Sequence, residues 1–95
     1  MQDVVIVGAG GLGREISEWI EDLNELRPMY RLVGFLDDNP TKHNVVCHGV
    51  PILGGLDWVA GRDIGVVLGV GSPPLKRLVV ERLRGLGVSE FPSIV

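Results

Sequence analysis

Gly8, Gly10 and Gly13 fall in the pattern G-x-G-x-x-G. Glycines at this spacing can hold a phosphate. The first permits a tight turn, the second lets the backbone approach the anion, and the third lets a helix pack closely on a strand. Free N–H groups and a partial positive charge at a helix N-terminus supply the attraction. The pattern carries weight only between a strand and a helix. A bare turn is the other reading, and it needs fewer than three glycines in register.

Two further segments could meet the same ligand. Asp37 and Asp38 open the run D-D-N-P. A carboxylate there can accept from ribose hydroxyls or from a base N–H, although the composition alone also makes a good turn. Adjacent side chains diverge in extended chain, which argues against a general acid–base pair. Gly71 and Ser72 close a later apolar run. Ser72 is equally a helix N-cap ahead of Pro73. Elsewhere the chemistry thins out. His43, Cys47 and His48 lack the spacing and the fourth ligand of a metal site, so no metal is expected. No Ser-His-Asp or Cys-His arrangement can be built, so no catalytic residue is assigned. Lys76, Arg77, Arg82 and Arg84 read as a solvated helix face, with Lys76 or Arg77 near enough to the helix start to reach a phosphate.

The elements that must position these residues follow from hydropathy. Val4 to Val7 is a continuous β-branched run, the mark of a strand buried on both faces. The glycine pattern follows it at once. Leu12, Ile16, Trp19, Ile20, Leu23 and Leu26 then recur at helical spacing, which puts Trp19 in the core, and Pro28 ends the helix. Arg31 to Leu36 forms a second strand and Ile64 to Val70 a third. Between them, residues 41–48 read as loop. Val50 to Leu53 is a short extended piece, whose Pro51 argues for an edge or a segment outside the ladder. Leu56 to Ala60 has room for one or two helical turns, and Trp58 is expected in the core or beneath a loop. After Ser72, the residues Leu75, Leu78, Val79, Leu83 and Leu86 trace a second apolar helix stripe, and Gly87 fits its C-terminal cap. Glu90 to Val95 reads as a fourth strand.

Helices alternating with apolar strands predict a parallel sheet covered on both faces, and right-handed crossovers restrict the topology. The expected fold class is α/β: a Rossmann-like open parallel sheet of about four strands, in spatial order 2-1-3-4, with its switch point between strands one and three.

Bulk properties agree. The 95 residues make one domain, residues 1–95, with 45% apolar and 22% charged side chains, which excludes general disorder. Net charge is −3. Residues 1–48 hold eight acids and four bases, and residues 49–95 hold four and five. Neither half has the basic excess of a nucleic-acid binder. No apolar run nears the roughly 20 residues of a membrane span. One cysteine and a start lacking the pattern of a signal peptide make the cytoplasm the expected compartment.

The segments V-V-I-V-G-A-G-G-L-G-R-E-I, V-G-F-L-D-D-N-P, G-V-P-I-L-G and V-L-G-V-G-S, in this order, resemble the N-terminal domain of bacterial sugar O/N-acyltransferases. These are of the sialic acid O-acetyltransferase type and include enzymes acting on UDP- and GDP-amino sugars. The resemblance covers essentially the whole chain. It implies that this domain binds the nucleotide sugar. Acetyl-CoA, the catalytic histidine and trimer contacts would belong to a left-handed β-helix of hexapeptide repeats, which these residues do not contain. The chain by itself would then be a monomer without its own cofactor. The resemblance also implies that the backbone at Gly10, Gly11 and Leu12 meets the nucleotide sugar, that Asp37 and Asp38 read uracil or ribose, and that Gly71 lines the same pocket. Leu12 stands where the family often has His, which leaves a backbone contact there. The competing readings are an NAD(P)-binding module of an oxidoreductase and a non-catalytic ligand-sensing domain.

Overall fold

The computed structural model describes residues 2–8, 11–38, 46–47 and 49–92. Strand β1, Gln2–Val7, leads into helix α1, Gly11–Leu26. Strand β2, Tyr30–Leu36, follows; then come the two-residue β3, Val46–Cys47, and β4, Val50–Gly54. A 3-10 helix, Leu56–Val59, precedes β5, Gly65–Leu68, and helix α2 spans Pro73–Gly85. The sheet order is β3-β4-β2-β1-β5. Four of these strands run parallel, and β3 alone pairs antiparallel, against β4.

The order β2-β1-β5 matches the expected 2-1-3 arrangement, with the crossover between β1 and β5. The fourth parallel strand is a different segment from the one expected. Residues 90–92 form no strand; they touch the sheet where the Val66 N–H donates to the Glu90 carbonyl at 3.0 Å. Residues 93–95 of that expected strand lie outside the described residues. The fourth position belongs to Val50–Gly54, on the far side of β2. Pro51 is tolerated because its pairing is sparse. The β2–β4 register begins only at Phe35 and Ile52, and β3 offers just two residues.

Period-two alternation divides the core between the two faces of the sheet. Val4, Ile6, Phe35, Ile52 and Val67 pack with Ile16 and Ile20 of α1. Val5, Val7, Leu36 and Val66 pack on the other face with Leu56 and Val59 of the 3-10 helix and Leu83 of α2. Two expectations about this core are corrected. Trp19 is 36% exposed: on a helix lying over a flat sheet, it sits at the margin of the buried stripe. The α2 stripe is buried only in part. Leu83 is fully enclosed, Val79 and Leu86 are partly covered, and Leu75 and Leu78 are 46% and 65% exposed. The N-terminal half of α2 extends past the sheet edge, where the strands have ended. Trp58 packs against the second core cluster, with the Arg62 guanidinium 3.9 Å above its ring centre. Among the described residues, no helix is long and apolar enough to cross a membrane.

Candidate functional site

The carboxyl ends of the parallel strands are level. Val7 is in register with Leu36 on one side and Leu68 on the other. Three backbone bonds of 2.8 Å carry the sheet one residue further: Gly8 N–H to the Leu36 carbonyl, Asp37 N–H to Gly54, and Gly69 N–H to Val7. Gly8, Asp37 and Gly69 therefore stand side by side at one edge. In open parallel sheets this edge, at the point where the strand order reverses, is where ligands bind.

Close packing explains two of the glycines there. Gly8 has φ +95°, in the left-handed region that side chains resist. Gly13 lies in the first turn of α1, and a Cβ on it would sit 2.0 Å from the Gly8 carbonyl oxygen. The helix thus starts against the end of the strand, with its N-terminal N–H groups at the sheet edge, where they have no intrahelical acceptor. Gly11 is the first helical residue. Gly10, the middle glycine of the pattern, lies outside the described residues. Leu12 is half-buried, and its Cδ2 is 4.0 Å from where a Gly71 Cβ would be. The first turn of α1 therefore approaches the β5–α2 connection.

A cavity of about 240 Å3 opens beside them. Val7, Gly8, Leu36, Asp37 and Asp38 form its strand side, and Leu56, Val70, Leu75 and Val79 close it from the 3-10 helix, the loop after β5 and α2. Of the residues singled out in the sequence, Gly8, Asp37 and Asp38 line it directly. Gly13 and Leu12 build the adjoining turn. Gly71 and Ser72 flank the mouth and are exposed. Ser72 occupies the N-cap position of α2 in an extended conformation, yet its hydroxyl makes no capping bond. Leu56, Val70, Leu75 and Val79 had no signal in the sequence beyond apolarity, which reads as core.

The two acids differ in exposure: Asp37 is half-buried and Asp38 is exposed. Asp38 Oδ1 accepts from the Leu56 N–H at 3.1 Å, and its Oδ2 accepts from Arg82 Nη1 at 3.0 Å. Arg82 is thus part of an ion pair as well as of a solvated helix face.

A larger cavity, about 380 Å3, lies at the opposite edge, where β1, β2 and β5 begin. Its polar walls are already joined to each other. Arg31 donates to both Asp3 oxygens at 2.8 and 2.6 Å, and Gln2 Nε2 donates to Glu90 Oε2. Those hydrogen bonds from Arg31 hold the Asp3 carboxyl below the usual carboxylate range, against a smaller opposing effect of desolvation. Strand beginnings are not where such sheets bind ligands, so size does not make this the site. Among the described residues, no group of three His, Cys, Asp or Glu could hold a metal ion. His43 and His48 lie outside the described residues.

No curated protein matches the chain. Among solved structures, RSP, a Rex-family repressor, superposes with TM-score 0.73 at 22% identity, over 93% of this chain and 42% of that one. RSP is also known in complex with β-NADH. A mutant perosamine N-acetyltransferase from Caulobacter crescentus, in complex with CoA and GDP-perosamine, gives TM-score 0.71 at 22% identity, over 94% and 40%. The acetyltransferase domain of PglB from Neisseria gonorrhoeae, in complex with acetyl coenzyme A, gives 0.68 at 26%, over 90% and 40%. The chain thus spans about two fifths of each of these structures. At such identities they speak for the Rossmann-like fold. The sequence model for the PglD N-terminal domain is more specific, since it matches residues 3–83, from β1 through to Leu83 of α2. The chain belongs to the PglD N-terminal domain family.

Proposed function

We propose that this domain binds the nucleotide-sugar substrate of a sugar acetyltransferase. The observation that carries the reading is the crevice at the strand switch point. There the glycine turn, the N-terminus of α1, the Asp37–Asp38 edge and the Leu12–Gly71 contact converge. The diphosphate lies against the backbone of the Gly8–Gly13 turn, where α1 offers N–H donors. The nucleoside lies in the crevice beside Asp37 and Asp38. The apolar walls Val70, Leu75 and Val79 suit the face of a base. Family membership and the acetyltransferase neighbours support this reading. The ligand is UDP- or GDP-linked. Acetyl-CoA, the catalytic base and the trimer contacts belong to a separate hexapeptide-repeat domain of the parent enzyme. The pathway is cytoplasmic assembly of a surface polysaccharide or other glycan.

A second reading has its own observation: RSP, of similar fold, binds β-NADH. One experiment separates the two. Thermal melting is recorded with UDP-sugars, GDP-sugars and NADH. A ligand at a hundred times its Kd stabilises by about 2.7 kcal/mol, or roughly 10–20 °C in a domain this small. The larger shift is expected from a nucleotide sugar; a larger shift from NADH overturns the reading.

A further inference from the structure

Asp38 is held from two sides by elements distant in sequence. The Leu56 N–H, at the start of the 3-10 helix, donates to Oδ1 at 3.1 Å. Arg82, from α2, donates through Nη1 to Oδ2 at 3.0 Å, while its Nη2 lies 3.3 Å from Asp57 Oδ1. The chain makes room for this arrangement: a Cβ on Gly55 would lie 2.7 Å from Asp38 Oδ1. As a brace the ion pair is weak. Its side chains are 48% and 54% exposed, and water screens such pairs. What the bonds do is fix a direction. An ionised carboxylate offers about four lone-pair positions; among the described residues two donors hold Asp38, and the carboxylate lines the crevice where a ligand donor would meet it. Arg82 does not line that crevice. We infer that Arg82 is a positioning residue for ligand recognition: from outside the crevice, it orients the Asp38 carboxylate to accept from a ribose hydroxyl. The inference rests on the nucleotide-sugar reading. An acceptor already held in its binding orientation spares the ligand the cost of ordering it.

The test is a cycle between protein and ligand. Titration calorimetry compares UDP or GDP, whichever binds more tightly, with its 2′-deoxy analogue. The wild-type chain, Arg82→Gln, Arg82→Lys and Asp57→Asn are compared, with thermal melting beside each. In the wild type, loss of the hydroxyl is expected to weaken binding roughly ten- to a hundredfold, as for a bond to a charged group. In Arg82→Gln that penalty falls to about threefold or less, because the carboxylate is no longer aimed. Arg82→Lys recovers part of it, and Asp57→Asn, which keeps the Arg82–Asp38 bond, retains most. An unchanged penalty in Arg82→Gln makes Arg82 a brace only and overturns the inference. So does a wild type indifferent to the hydroxyl. Should Arg82→Gln melt before titration, the penalty in Asp57→Asn and Arg82→Lys decides: a wild-type value in the lysine variant, which lacks the guanidinium fork, overturns it. A wild type that binds neither diphosphate but does bind NADH shows instead that the nucleotide-sugar reading has failed, and the inference falls with it.

Discussion

Gly13, in the turn beside the crevice, and Gly71, at its mouth, have opposite expected outcomes on substitution. A methyl group on Gly13 would meet the Gly8 carbonyl at 2.0 Å, backbone against backbone, with no flexible side chain to yield. Gly13→Ala must therefore push α1 off the end of β1. Overpacking of this kind costs about 1–3 kcal/mol or more, a fall in Tm of roughly 5–20 °C for a domain this size, and binding should be lost with it. Among the described residues, a methyl group on Gly71 meets only Leu12 Cδ2, at 4.0 Å. Gly71→Ala should melt within about 0.5 kcal/mol of wild type, so any loss of nucleotide-sugar affinity in it reports on the site alone. Melting and calorimetry on the two variants check both statements. Gly8 and Gly13 were legible in the sequence because backbone geometry restricts those positions to glycine. The engagement of Asp38 was not, because its partners are 18 and 44 residues away.

Helix α2 shows how far a periodic pattern reaches. Leu75, Leu78, Val79, Leu83 and Leu86 all qualify as one stripe by spacing. Burial depends on what lies opposite, and only the C-terminal half has the sheet and the 3-10 helix beneath it. Leu83, with no exposed surface, should cost about 2–5 kcal/mol when truncated to Ala. Leu78, 65% exposed, should cost less than about 0.5 kcal/mol. Denaturant unfolding of the two variants tests this, and equal losses would mean that α2 sits differently on the sheet. The same limit applies to Val50–Gly54. A short segment containing proline has no strong strand signal of its own; it becomes a parallel strand because Phe35 and Leu36 of β2 offer a ladder that it can join.

Across the whole molecule, the two cavities lie at opposite ends of the strands, and a bound ligand should distinguish them. Titration with the nucleotide sugar should move the amide resonances of Val7, Gly8, Asp37, Asp38 and Val70. It should leave Gln2, Asp3, Arg31 and Gly65, about the full length of a strand away, nearly unmoved. Shifts confined to the second group would transfer the site to the other edge. The charge on the molecule adds little discrimination: a net charge of −3 over 95 residues leaves recognition of an anionic ligand to local N–H donors rather than to long-range attraction.

The alternation of apolar strands and amphipathic helices was enough to specify a parallel α/β sheet with β1 between β2 and β5, because buried strands and right-handed crossovers leave few arrangements. The glycine turn was equally legible, because steric exclusion is local. The remaining features required pairing across long stretches of chain. Which segment supplies the fourth strand, and at which side of the sheet, depends on Val50–Gly54 meeting the free side of β2 rather than on residues 90–95 extending the sheet beyond β5. Which leucines are covered depends on where the sheet ends. That Arg82 reaches Asp38 depends on α2 folding back over the 3-10 helix. None of these is a property of neighbouring residues, and each was decided only when the sheet brought distant segments to one edge.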